Sequence, residues 1–133
     1  MSSPIRAIEE KLRKYPALRL ERGANFICVL PEAADGFEVE LREHGRTTTV
    51  FMEGWHEEFE EPDEALDTFA VGLSDHARLQ VVSRGSVDCS WTLEIWEAPV
   101  WVRGSTTALI FVPFWRRSSK RYLQNRHIEL TPP

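Results

Sequence analysis

The run Thr106-Thr107-Ala108-Leu109-Ile110-Phe111-Val112-Pro113-Phe114-Trp115-Arg116-Arg117-Ser118-Ser119-Lys120-Arg121-Tyr122-Leu123 decides how the chain is read. Its opening portion is apolar on both alternating faces, with Ala108, Ile110 and Val112 on one and Leu109 and Phe111 on the other. Strands buried on both sides have this pattern, so residues 106–112 are expected to form a central strand. Pro113 lacks a backbone donor and closes it. Residues 118–127 then read as a last helix, opened by Ser118 or Ser119. A strand apolar on both faces needs cover on both sides. Where helices are few, that requirement also raises a homo-oligomer as a reading.

Upstream, the punctuation is regular. Residues 77–84 read as a strand with Leu79 and Val81 on one face, and Gly85-Ser86 as a turn. Residues 90–97 follow as a strand, with Trp91, Leu93 and Ile95 opposite Thr92 and Glu94. Pro99 interrupts, and residues 100–102 are expected to continue as an edge. Before them, Leu66, Phe69, Ala70 and Leu73 recur at helical spacing behind Pro62, Asp63, Glu64 and Asp67, which suit a helix N-terminus; Gly72 and Ser74 mark its end.

Phe37, Val39 and Leu41 alternate with Glu38, Glu40 and Arg42, and residues 47–52 return across a turn at Glu43-His44-Gly45-Arg46, a hairpin. Residues 17–21 and 25–30 are short extended runs, the second ended by Pro31. At the start, Ser3 caps and Pro4 opens a helix whose Ile5, Ile8, Leu12 and Tyr15 share a face, with Pro16 as its stop. The resulting order, α-β-β-β-β-α-β-β-β-α with short connections, predicts an α+β fold. It is a mostly antiparallel sheet of about five to seven strands with two to three helices packed on it. Residues 1–133 are read as a single domain.

Composition bounds the function. The chain has 133 residues, 42% apolar, with five Trp and seven Phe, enough for a sizeable core and unlike a disordered segment. No apolar run approaches the roughly eighteen residues of a transmembrane helix. The opening MSSPIRAIEEKLRKY mixes acids and bases, unlike a signal peptide, so a cytoplasmic location is expected. Cys28 and Cys89 belong to no C-x-x-C pair and read as reduced thiols. A net charge of −5 argues against bulk nucleic-acid or anionic-membrane binding. That charge is unevenly spread. From Glu32 to Asp75 only Arg42 and Arg46 are basic, whereas Trp115 to His127 holds Arg116, Arg117, Lys120, Arg121 and Arg126 and no acid.

Two stretches are candidate sites. Glu53-Gly54-Trp55-His56-Glu57-Glu58-Phe59-Glu60 is one histidine short of the zinc-protease pattern H-E-x-x-H, with Glu60 in the last position. Gly54 and Pro62 argue for a turn or loop rather than a helix there. Trp55 and Phe59 are then expected to clamp an acidic connection to the sheet, and Trp55, His56 and Glu57, as an aromatic and a histidine beside carboxylates, to be able to receive a cationic partner. A metal-assisted hydrolase using His56 and Glu57 is the alternative.

The second stretch places Arg116, Arg117, Lys120 and Arg121 among Phe114, Trp115 and Tyr122. That suits an anionic partner, or internal pairing with the acids of residues 53–67. There is no G-x-S-x-G elbow and no glycine-rich phosphate loop, and no cofactor is expected. The residues point to a small soluble non-enzymatic binding or interaction domain for a protein or small ligand. The combination of "GWHEEF", "VGLSDHARLQVVSRG" and "FWRRSSKRYLQNRHI" resembles small bacterial proteins without an assigned activity, over Phe37 to Ile128. That resemblance implies a bacterial cytoplasmic protein and carries over no catalytic or binding residue.

Overall fold

In a computed structural model, residues 3–130 are described. Helix α1 (Pro4–Leu12) begins as its sequence dictates: the Ser3 side chain accepts a hydrogen bond from the Arg6 amide, and Pro4 sits in the first turn. Ile5, Ile8 and Leu12 are its buried stripe. The helix stops at Leu12, ahead of Pro16, so Tyr15 lies outside it and is exposed.

Strands β1 (Leu20–Arg22), β2 (Phe26–Val29), β3 (Val39–His44), β4 (Thr47–Met52) and β5 (Trp55–Phe59) then form an antiparallel meander in chain order. The β3–β4 hairpin turns at Gly45-Arg46, because Glu43 and His44 still pair across it with Thr48 and Thr47. Gly45 supplies the positive φ of that tight turn.

The "EGWHEEFE" stretch is not the acidic connection expected from Gly54 and Pro62. Glu53 and Gly54 are a two-residue hairpin turn, Met52 faces Trp55, and the following residues run back along β4 as β5. Its alternation is real but disguised by carboxylates. Trp55 is buried, Glu57 and Phe59 are half-buried, and His56 and Glu58 are exposed. Gly54 is needed because a Cβ there would lie 2.3 Å from the Trp91 indole.

Helix α2 (Pro62–Leu73) crosses the inner face of this sheet and buries Ala65, Phe69, Gly72 and Leu73. A second antiparallel sheet follows: β6 (Ala77–Arg84), β7 (Val87–Glu97), β8 (Val100–Ala108) and β9 (Ser118–Leu123), in the order β8-β7-β6-β9. One cluster of buried apolar side chains draws on both helices and both sheets, from Ile8 and Phe69 through Val39 and Trp55 to Leu79 and Leu93.

The α+β class with antiparallel sheets stands. Its details differ from the expectation: among the described residues there are nine strands in two sheets and two helices. Two corrections fall on the deciding stretch. Residues 118–127 are not a helix; Ser118–Leu123 is strand β9, paired along the open edge of β6. There Leu123 packs beside Leu79, Tyr122 accepts from Gln80 and Arg121 reaches Asp88, contacts no isolated helix offers.

Residues 106–112 are not a central strand either. β8 is one long edge from Val100, its ladder to β7 ends at the Ser90–Ala108 pair, and residues 109–117 leave the sheet. An apolar run with no strand beyond it to pair with has nothing to bury it.

Candidate functional site

The two sheets meet where β5 passes β8. Trp55 is 1% exposed, and its Nε1 donates to the Ser105 carbonyl at 3.1 Å and hydroxyl at 3.2 Å. The Ser105 hydroxyl donates onward to Glu57 Oε1 at 2.7 Å. The His56 amide donates to Thr107 Oγ1 at 3.0 Å, and the same hydroxyl lies 3.2 Å from the His56 carbonyl. Side chains of β8 thus satisfy a sheet edge that would otherwise be open.

Of the residues singled out in sequence, Trp55 therefore lies inside the core. His56 and Glu57, as neighbours on a strand, point to opposite faces, so they do not share a face as the ligand and base of an H-E-x-x-H helix do. The His56 ring lies 5.7 Å from that of Phe51, its cross-strand neighbour on β4. Among the described residues, no group of three or more His, Cys, Asp or Glu converges as a metal site.

The basic stretch divides in two. Arg121 forms a two-pronged pair with Asp88 at 2.7 and 2.8 Å, and one prong also reaches the Ser83 hydroxyl. The Arg121 and Ser83 hydrogen bonds hold the Asp88 carboxyl down at about 2. Arg126 lies 3.7 Å from Asp35. The direct ion-pair partners are thus Asp88 on β7 and Asp35 ahead of β3; of the acids of residues 53–67, Glu53 adds longer-range attraction to Arg121. Arg116, Arg117 and Lys120 are exposed, and among the described residues none of them forms a salt bridge.

These three cations flank a feature the sequence reading placed in the core. Ile110 is 90% exposed and Phe111 91%; Leu109, Phe114 and Trp115 are exposed beside them. Phe114 and Trp115 stack edge to face at 5.3 Å. The arm is fixed at both ends. The Leu109 amide donates to the Cys89 carbonyl, Arg84 donates to the carbonyls of Phe114 and Arg116, and the Gly85 amide donates to that of Arg117. Gly85, with positive φ in the β6–β7 turn, leaves room for the Arg116 side chain; a Cβ there would sit 2.6 Å from Arg116 Cδ. Sequence reasoning missed Leu109, Ile110 and Phe111. The available signal was the abrupt change at Pro113 from aliphatics to aromatics and then to paired arginines.

On the outer face of the second sheet, the Arg78 guanidinium sits 4.3 Å from the Trp101 ring and 4.2 Å from the Tyr122 ring, and bonds Glu94 at 2.6 Å. Buried Thr92 bonds Thr106, and Gln80 bonds Tyr122. These groups satisfy one another and knit four strands together.

The thiols of Cys28 and Cys89 are free and buried, and burial pushes Cys28 up to about 12, well away from nucleophilic use. His127 is buried near Glu32, at 3.8 Å, and its Nε2 has no protein partner. Burial pushes its pKa down, opposed more weakly by Glu32. A histidine with a depressed folded-state pKa is protonated more readily in the unfolded chain. Stability is therefore complete above about pH 6.5 and declines as pH falls from there toward the folded-state value. Urea unfolding should show wild type losing more stability than His127→Gln between neutral pH and pH 5. Equal losses would assign the dependence to other groups.

No protein-family model matches the chain, and no similar curated protein or solved structure was found.

Proposed function

We propose that the chain acts by binding rather than by catalysis, and that its contact element is the arm of residues 109–117 with the cations at its base. The observation carrying this reading is the near-complete exposure of Ile110 and Phe111 within an apolar run flanked by unpaired Arg116, Arg117 and Lys120. Contiguous exposed apolar side chains are costly to keep in water, and such patches mark interaction surfaces. Burying Ile110 or Phe111 against a partner contributes about 1.5–3 kcal/mol each. The exposed cations add attraction to anything anionic, and Arg84 and Gly85 hold the arm in place so that little order has to be gained on docking.

Replacing Ile110, Phe111 and Trp115 together by serine tests this. The variant should keep the wild-type circular dichroism, because these side chains lie outside the core. It should lose at least tenfold, about 1.4 kcal/mol, in saturable retention of whatever component wild type holds from fractionated cell extract. Equal retention by the variant would move the contact off the arm.

A further inference from the structure

Resting on the reading of the arm as the contact element, we infer that its partner is the surface of a lipid bilayer rich in anionic headgroups. Three observations converge. The first is the chemistry of the arm. Leu109, Ile110 and Phe111 present exposed apolar side chains, and Phe114 and Trp115, also exposed, follow in sequence directly before the cations. Aromatic side chains, tryptophan above all, favour the boundary between headgroups and acyl chains.

The second observation is charge. Not one carboxylate occurs between Glu97 and Glu129, while Arg116, Arg117 and Lys120 stand free of ion pairs directly after the aromatics. Each cation near an anionic membrane strengthens attachment roughly fivefold. The net charge of −5 weakens this only modestly, because charges farther away than about 8 Å are screened at physiological salt.

The third is shape. Residues 109–117 form neither a helix face nor a strand edge that a folded protein could pair with, and a fluid bilayer demands no complementary groove. A second copy of the chain would bring like charges together at this same arm. Single-stranded nucleic acid would need stacking surfaces where Leu109 and Ile110 present aliphatic ones.

Insertion is shallow. Irregular backbone cannot leave its N–H groups unsatisfied in hydrocarbon, so the side chains enter the interface by roughly 5–10 Å while the backbone stays among the headgroups. This is attachment to a surface; among the described residues no helix is long and apolar enough to cross a membrane.

Cosedimentation of the purified protein with phosphatidylcholine vesicles, with and without phosphatidylglycerol, tests the inference. Wild type should bind the phosphatidylglycerol vesicles at least tenfold more tightly than the neutral ones. The Ile110→Ser/Phe111→Ser variant and the Arg116→Gln/Arg117→Gln/Lys120→Gln variant should each lose at least tenfold. Absence of wild-type binding to either vesicle, equal binding to both, or unchanged binding by the serine variant would overturn it. So would an arm-dependent dimer by light scattering in place of vesicle binding. If vesicles fail while the serine variant still loses a soluble component of cell extract, the lipid is excluded and the arm remains the contact element. If the variant loses nothing in either assay, both readings fall.

Discussion

Replacing Trp55 by alanine should remove about 3–5 kcal/mol of stability, the upper range for deleting a buried aromatic. A domain of this size has roughly 5–15 kcal/mol in all, so the variant should be partly unfolded at ambient temperature or melt far below wild type. The reason is position. Trp55 begins β5 in the central cluster, and its indole N–H ties the first sheet to Ser105 of the second. Truncation opens a cavity and at the same time removes the tie to Ser105. Trp55→Phe keeps most of the volume and should cost markedly less. Guanidinium unfolding followed by circular dichroism measures both; a loss below about 1 kcal/mol for the alanine variant would mean the site collapses freely, contrary to the packing described.

Asn125→Ala is expected to cost about 2–4 kcal/mol, although it deletes only a small polar group. The Asn125 carboxamide, just beyond β9, is buried between the segment ahead of β3 and the end of α2. Its oxygen accepts from the Phe37 amide, and its nitrogen donates to the carbonyls of Phe37 and Gly72, each at 3.0 Å. Alanine leaves three backbone groups without this partner. Asn125→Asp should be about as damaging, because a carboxylate retains the acceptor but faces two carbonyls with no donor. The measurement is the shift in denaturation midpoint for both variants. A tolerated aspartate would show that donation to Phe37 and Gly72 contributes little.

Neither residue announces itself equally in sequence. Trp55 was visible as a large apolar anchor, but its strand was hidden because Glu57, an inward position, is charged and breaks the usual alternation. It is accommodated there by the Ser105 hydroxyl. Asn125 gave no signal, since its three partners lie 53 and 88 positions away along the chain. The arm was misplaced for a related reason. A run apolar on both faces is what a central strand looks like, and periodicity carries no information about whether a neighbouring strand is there to cover it.

Elements whose evidence is local could therefore be read directly. The Ser3 cap, Pro4 and the Ile5–Ile8–Leu12 spacing specify α1; Pro62 and the Phe69–Leu73 face specify α2; the alternations of β3 and β6 specify strands with a known inward side, and the turn after β3 specifies β4 as its hairpin partner. Such signals arise from dihedral preference, capping and burial of one face, all of which act within a few residues. The fate of residues 106–123 was settled at longer range. β6 offered an open edge that drew Ser118–Leu123 out of a helical reading, and β8 stops pairing with β7 at Ala108 although β7 itself continues to Val87. Pairing and cover are properties of neighbours, so only the assembled fold could turn an expected core strand into an exposed, cation-flanked arm.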